Sequence, residues 1–174
     1  MHRGWFWVLP FFLLLSGCKN PNQVLEMPVN KIVVKADFVE TLNGDQARFN
    51  IDGRVKTVQF LQMETPKVRK KQPLGKEAKE FTDSLLKNAQ RIQLRYDVQP
   101  KSSDSRVKAY VFADGKSVQM ELLKNGLARM KNEPSKRQDF LHLLQRTELK
   151  AKKKRVGIWS CPAYVTDDGF VPDQ

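Results

Sequence analysis

The feature that most constrains the fold is a pair of β-type runs joined by Asp52-Gly53. The runs QARFNI (46–51) and RVKTVQFLQM (54–63) mix apolar and polar residues in partial alternation and leave only this dipeptide between them. Asp-Gly is among the strongest signals for a two-residue hairpin, because both central residues of the favoured turn need a positive φ. The segment therefore predicts an antiparallel hairpin within a β-rich region.

Three further β-type runs accompany this hairpin. One precedes it over 31–41, before the turn signal Asn43-Gly44, and two follow over 91–96 and 107–112, the last closed by Asp114-Gly115. Their β-branched and aromatic content and their turn-forming boundaries predict short strands. The chain therefore contains five predicted strands, three before and two after a polar, helix-like interval.

Three helices complete the prediction. Ala78, Phe81 and Leu85 recur at helical spacing and predict a helix over 75–88. Ser117 and Gly126 bracket a short second helix as its N-cap and its C-terminal stop, and a third is predicted over 134–155. Five short strands with a helix after the third predict an α+β domain, an OB-fold five-stranded β-barrel with three helices.

The N-terminus predicts export. Arg3 precedes about eleven apolar residues that end at the sequence LSGC, with Cys18 last. The run is shorter than the ~20 residues that a spanning helix needs, and its order is that of a secretory signal. Its end is similar to the lipobox of bacterial lipoproteins, which implies a signal peptide over 1–17 and lipidation of Cys18. An ordinary signal or an uncleaved anchor are the alternatives, and every version predicts an extracytoplasmic protein.

The remaining boundaries follow from composition. A polar segment over 18–30 predicts a tether that spaces the domain from the bacterial membrane to which lipidated Cys18 would attach it. The predicted domain spans 31–160 and is expected to bury Trp159 over the base of the barrel. The acidic C-terminal tail, 161–174, is expected to pack loosely and has no functional interpretation.

Charge predicts the class of partner. The chain has 31 Lys and Arg against 19 Asp and Glu, a formal net charge of +12. Such an excess favours a polyanion such as nucleic acid, anionic lipid or a wall polymer. Two basic runs stand out, KVRKK over 67–71 after the third strand and KAKKKR over 150–155 in the last helix. The second run suits a solvated surface as well as a docking one.

Several segments, in order, resemble the staphylococcal-nuclease-like, or thermonuclease, family. They are NGDQ (43–46), ETP (64–66), PLGKEAKEFTDSLL (73–86), SRVKAYVFADGKSVQMELLKNGLA (105–128) and ELKAKKKRVGIW (148–159). The resemblance implies phosphodiester hydrolysis assisted by calcium, which two carboxylates and a main-chain carbonyl hold. It further implies a glutamate that activates water, two arginines that clamp the phosphate, and an aromatic residue that stacks on a base.

The family's metal ligands are retained in altered form. The first carboxylate corresponds to Asp45, although Gln46 follows it where the family pattern has threonine. The second corresponds to Glu64, one methylene longer than the family's aspartate, and the carbonyl ligand corresponds to Thr65. Calcium is therefore a possible cofactor of a vestigial site, although the predicted function requires none.

The catalytic positions depart further from the pattern. Lys67 stands where the resemblance places the general-base glutamate, and a charged lysine cannot accept a proton. Gln59 replaces one phosphate-clamping arginine, Arg106 retains the other, and Asn132 stands in place of the base-stacking tyrosine. An acid of the first helix, Glu77 or Glu80, is the alternative base.

Together these residues predict a domain that binds nucleic acid or another polyanion, with hydrolysis weak or lost. The expected binding residues are Lys67, Arg69, Lys70, Lys71 and Arg106. Two alternatives stay open: an active calcium-dependent endonuclease acting on DNA or RNA outside the cytoplasm, and an extracytoplasmic scaffold for a protein partner.

Overall fold

A computed structural model describes residues 33–171 of the chain. The predicted signal peptide, Cys18 and the whole predicted tether lie outside the described residues, so those predictions stay untested. Among residues 33–171, no helix is both long enough and apolar enough to span a membrane.

The described residues form ten strands and three α-helices. The strands are β1 (Val33–Asn43), β2 (Gln46–Ile51), β3 (Arg54–Phe60), β4 (Met63–Glu64), β5 (Ile92–Arg95), β6 (Arg106–Ala113), β7 (Lys116–Ser117), β8 (Arg129–Met130), β9 (Val165–Thr166) and β10 (Gly169–Phe170). The helices are α1 (Gly75–Lys87), α2 (Val118–Lys124) and α3 (Gln138–Lys153), and short 3-10 turns occur at Val68–Lys70 and Gly157–Trp159.

Five of these strands close into a barrel. β1 pairs antiparallel with β2 and β5, β2 pairs with β3, and β5 pairs with β6. A parallel pairing of β3 with β6 then closes the circle. Asp52 and Gly53 have φ angles of 51° and 77°, the positive values that the predicted hairpin turn requires. The predicted OB-type barrel with three helices is confirmed.

The predicted N-cap and C-terminal stop of the second helix are confirmed. The Ser117 hydroxyl accepts a hydrogen bond from the amide of Met120 at 3.3 Å and caps α2, and Gly126 follows the helix with a φ of 62°. In α1 the fully buried line runs through Ala78, Thr82 and Leu86, while Phe81 and Leu85 are only partly buried. The helix stands as predicted, but its core-facing side is rotated by about one residue.

The third helix is shorter at its start than predicted. It begins at Gln138 instead of residue 134, because the preceding side chains are bonded to the loop after β5. The Arg137 Nε donates to Asp97 Oδ1 at 2.9 Å, and the Ser135 hydroxyl donates to Asp97 Oδ2 at 2.9 Å. This ion pair is almost fully buried, so it holds residues 135–137 out of the helical conformation.

The run predicted as one strand over 54–63 is broken after Phe60. Gln62 has a φ of 67°, and its side-chain amide donates to the carbonyls of Glu133 and Pro134 at 3.1 and 3.3 Å. The chain therefore turns, and the short strand β4 pairs with β8 instead of continuing the barrel. In that pairing Glu64 lies opposite Arg129.

The C-terminal region differs from both expectations about it. Ile158 is fully buried, whereas Trp159 is partly exposed with the Lys152 ammonium 4.4 Å from its ring centre. Trp159 is therefore only partly buried, although its indole nitrogen is buried. Residues 165–170 form the hairpin β9–β10, and Tyr164 is only 8% exposed. The prediction of a loosely packed tail is wrong over 164–170.

Candidate nucleic-acid and metal site

Asp45 lies in the tight turn between β1 and β2, where backbone contacts fix it. Its carbonyl accepts from the Phe60 amide at 2.9 Å and from the Gln59 side-chain amide at 3.0 Å. Gly44 packs so closely that a Cβ there would lie 2.8 Å from the Ala78 Cβ and 2.9 Å from the Thr65 side chain. Gln59, which stands where the family pattern has an arginine, therefore supports the turn that presents Asp45.

Lys67 contacts the carboxylate of Asp45 directly. Its Nζ donates to Asp45 Oδ2, in a pair whose aspartate side chain is 2% exposed and whose lysine side chain is 30% exposed. The other oxygen, Oδ1, is buried and has no hydrogen-bond partner among the described residues. The lysine that replaces the general base thus neutralises the first predicted metal ligand.

Glu64, the second predicted carboxylate ligand, is also bonded to a cation. The Arg129 Nε donates to Glu64 Oε1 at 2.5 Å, and both side chains are mostly buried. The β4–β8 pairing sets this contact, because it places the two residues opposite each other. Sequence reasoning missed Arg129; its only signal was a position just after the GLA segment.

A second set of charges adjoins these pairs. Glu133 accepts from Lys131 at 3.0 Å and from Lys108 at 3.1 Å. Burial alone would raise the pKa of Glu133, but the hydrogen bonds from Lys131 and Lys108 outweigh it and hold the pKa below its ordinary value. The pKa of Lys131 is raised by its hydrogen bond and charge interaction with Glu133, and further by Glu64 and Asp45. The three carboxylates of Asp45, Glu64 and Glu133 are therefore each paired with side-chain cations.

The predicted donor set does not fit calcium well. Calcium takes about six to eight oxygen ligands, yet Asp45 and Glu64 each give one oxygen to a side-chain cation. Thr65 is fully buried, and its hydroxyl has no hydrogen-bond partner within residues 33–171. No group of three or more His, Cys, Asp or Glu in that range is arranged to hold a metal ion.

Glu77 and Glu80, the alternative bases, lie exposed on α1 without a bond to Asp45, Glu64 or Thr65, and Glu80 pairs with Lys76 at 3.6 Å.

Arg106 lies at the first residue of β6, opposite Thr57 of β3, and its side chain is exposed. Two residues further along the same pairing, Lys108 lies opposite Gln59. Lys108 thus places a cation on the strand next to Gln59, which stands where the family pattern has an arginine. No bond among the described residues joins Arg106 to Lys67, so the two predicted binding residues are not in direct contact.

The rest of the predicted basic run projects into solvent. Arg69 and Lys70 lie in the 3-10 turn and Lys71 ends it, and all three are exposed. Their side chains form no ion pair with any residue of the described part of the chain. They are therefore available to contact phosphates.

A polar cleft of about 740 Å³ opens beside Glu64. Its walls come from β4, β8, α3 and the C-terminal hairpin, and they include Arg129, Lys131, Trp159 and Asp167. Sequence reasoning missed the participation of Lys131 and of the hairpin, because both depend on contacts between distant segments. The site thus extends from the turn at Asp45 towards the end of the chain.

Comparisons with known proteins identify the family. A family model described as staphylococcal nuclease homologue matches residues 57–161. Over 145 residues the chain is 34% identical to SPbeta prophage-derived endonuclease YokF of Bacillus subtilis (strain 168), covering 80% of this chain and 49% of that protein. Over 122 residues it is 34% identical to the thermonuclease of Staphylococcus intermedius, covering 68% of this chain and 71% of that protein. The chain spans about half the length of YokF, and it belongs to the staphylococcal nuclease homologue family.

Proposed function

We propose that this protein is an envelope-anchored domain that binds nucleic acid or another polyanion, with phosphodiester hydrolysis weak or lost. The anchoring part rests on the lipobox-like sequence that ends at Cys18. The binding part rests on family membership and on the basic surface around Asp45 and Glu64. The loss of hydrolysis rests on the charge of one residue, Lys67.

The pairing of Lys67 with Asp45 is the observation that carries the proposal. A protonated lysine at this point cannot take a proton from water, and losing a general base costs typically ~10²- to 10⁴-fold in rate. The same ammonium repels a divalent cation: at about 4 Å and an effective dielectric constant near 20, two unit charges interact by about 4 kcal/mol. Both the base and the metal of the family mechanism are therefore disfavoured at this position.

Binding would be electrostatic and weakly selective. Arg69, Lys70, Lys71 and Arg106 are exposed cations without an acidic partner among residues 33–171, whereas Asn132 stands where the family has a stacking aromatic. Phosphate contacts release counterions, so the affinity for a single strand falls with salt at a slope of about −0.7 per phosphate neutralised. We therefore expect tight binding only at low ionic strength.

The second candidate is an active calcium-dependent endonuclease acting outside the cytoplasm. It is favoured by the names of two relatives, YokF and endonuclease YncB of Bacillus subtilis, the latter 33% identical over 145 residues. Asp45 and Glu64 also keep their carboxylates beside Thr65. A protein-interaction scaffold is the third reading, which absence of nucleic-acid binding would support.

The deciding experiment combines cleavage and binding on the purified chain. Plasmid nicking is measured with calcium and with a chelator, and binding of labelled single-stranded DNA is measured from low to physiological salt. We expect no calcium-dependent nicking and a steep loss of affinity with salt. Clear calcium-dependent cleavage would establish the endonuclease instead, and no binding at low salt would favour the scaffold.

Two variants locate the binding surface. Replacing Arg69, Lys70 and Lys71 by Gln should reduce the steepness of the salt dependence by about 2, since about three phosphate contacts are lost. The matched control replaces three lysines at the end of α3, Lys150, Lys153 and the C-cap Lys154, and changes the net charge equally. An equal effect of both variants would show that binding follows net charge and not the surface beside Lys67.

A further inference from the structure

The C-terminal hairpin, residues 164–171, extends beyond the residues matched by the family model. Its strands pair with Gly169 opposite Thr166 and Phe170 opposite Val165, and the Val171 amide donates to the Tyr164 carbonyl at 2.9 Å. The rings of Tyr164 and Phe170 lie 5.6 Å apart between centres. The hairpin is therefore an ordered element with its own small apolar contact.

This hairpin is bonded to the loop that presents Lys67. The Tyr164 hydroxyl donates to the Pro73 carbonyl at 2.7 Å, and the Gln72 side-chain amide donates to the Phe170 carbonyl at 3.3 Å. The oxygen of the same Gln72 side chain accepts from the Lys67 backbone amide at 2.7 Å. Gln72 is only 8% exposed, so a single buried amide group links the hairpin to Lys67.

The hairpin also lies against the other carboxylate of the site. A Cβ built on Gly169 would lie 3.6 Å from Glu64 Oε1, and Gly169 has a φ of 138°. A side chain there would be strained by the backbone, and its Cβ would lie at ordinary contact distance from the carboxylate that Arg129 pairs with. The hairpin thus contacts the elements that hold both pairs of opposite charge.

The Lys67 loop has features that make support from outside the loop important. Lys71 and Leu74 adopt left-handed conformations, with φ of 51° and 63°, which non-glycine residues keep only where the surroundings impose them. The exposed cations at 69–71 also repel Lys67 and one another. Within the loop, the 3-10 turn buries no side chain. The Lys67 carbonyl accepts from the Lys70 and Gln72 amides at 3.1 and 3.3 Å, and the hairpin adds two hydrogen bonds from outside the loop.

We infer that the C-terminal hairpin, acting through Gln72, is a positioning element that holds Lys67 against Asp45. The hairpin acts on the backbone from which the lysine side chain reaches the aspartate. This inference rests on the same ion pair as the proposed function. Its test uses neither nucleic acid nor metal, so its failure is distinguishable from failure of the proposed function.

Amide hydrogen exchange of the full chain tests the link to the loop. The variant Tyr164→Ala removes the anchoring hydroxyl and ring, whereas Tyr164→Phe removes only the hydroxyl. We expect the Lys67 amide to exchange at least tenfold faster in Tyr164→Ala and to an intermediate extent in Tyr164→Phe, with the amides of β5 unchanged. Exchange of the Lys67 amide at the parent rate, or an equal acceleration in β5, would overturn the inference.

A double-mutant cycle tests the effect on the ion pair itself. The coupling between Lys67→Met and Asp45→Asn is measured by urea unfolding in the parent and in Tyr164→Ala. A positioning role predicts that the coupling falls by at least half, whereas a hairpin that merely adds stability would leave it unchanged and overturn the inference. The matched control, Asp167→Asn with Asp168→Asn, alters the hairpin turn without touching its anchors and should leave the coupling intact. If the coupling fell as far in the control as in Tyr164→Ala, the charge of the hairpin, and not Gln72, would determine the strength of the ion pair.

Discussion

Replacing Lys67 by Met tests the central contact most directly. The Asp45 side chain is 2% exposed, so the variant would leave a buried carboxylate without its counter-charge. Removing one partner of a buried pair costs about 3–5 kcal/mol. Because the lysine side chain is 30% exposed, water reaches part of the pair and we expect the lower end, about 3 kcal/mol.

Urea unfolding measures this loss. With a slope of about 2 kcal/mol per molar urea, the midpoint should fall by about 1.5 M. The control combines Lys67→Met with Asp45→Asn, which removes both charges and should recover much of the stability, since an isolated buried charge is the costly state. A Lys67→Met variant as stable as the parent would refute the placement of the ammonium on Asp45.

Added calcium gives the same variant a second readout. Once the ammonium is removed, the Asp45 carboxylate is free, and a bound ion would stabilise the folded state by about 2.7 kcal/mol at 100 times its dissociation constant. We expect calcium to raise the urea midpoint of Lys67→Met and to leave that of the parent unchanged. An equal rise in the parent would mean that calcium binds despite Lys67, and the endonuclease would then be the better candidate.

Three further predictions concern the surroundings of the pair. Arg129→Met should lower stability by about 3 kcal/mol in urea, because it leaves the mostly buried Glu64 unpaired; no change would contradict that pairing. Gly44→Ala should cost about 1–3 kcal/mol by thermal unfolding, because its Cβ would lie 2.8 Å from that of Ala78; an unchanged midpoint would show that the turn relaxes freely. The folded-state pKa of Glu133 is below its ordinary 4.5, so its contribution is present above that pH and is lost as pH falls through the folded pKa. Glu133→Gln should therefore be less stable than the parent at neutral pH, with the gap closing below pH 4.5 in acid titrations of unfolding.

Much of the fold was predictable because its signals are local. The Asp52-Gly53 hairpin needs only two adjacent residues with positive φ, and Ser117 caps α2 through a bond to Met120 three residues on. Such features depend on backbone preference and nearby side chains, which a sequence displays directly. The start of α3 was misplaced because Arg137 bonds to Asp97, 40 residues away in the chain.

The site was predictable only in part, for the same physical reason. Asp45, Glu64 and Lys67 belong to short motifs, and the structure brings the lysine onto Asp45 as its position beside the metal motif suggested. The partner of Glu64 lies 65 residues away, and the bond from Gln72 to Phe170 joins residues 98 apart. Strand register and hairpin docking set these contacts, and neither can be predicted from a local sequence pattern.

The two ion pairs together explain how the carboxylates of Asp45 and Glu64 can be buried in this domain. Burying a carboxylate as deeply as that of Asp45 is costly without a counter-charge, and in the family that charge is implied to come from calcium. Here Lys67 supplies it for Asp45 and Arg129 supplies it for Glu64, so the folded domain holds both acids without help from an ion. A cation built into the chain is present at every calcium concentration. A metal would therefore have to share each carboxylate with a fixed cation, because Lys67 holds one oxygen of Asp45 and Arg129 holds one oxygen of Glu64.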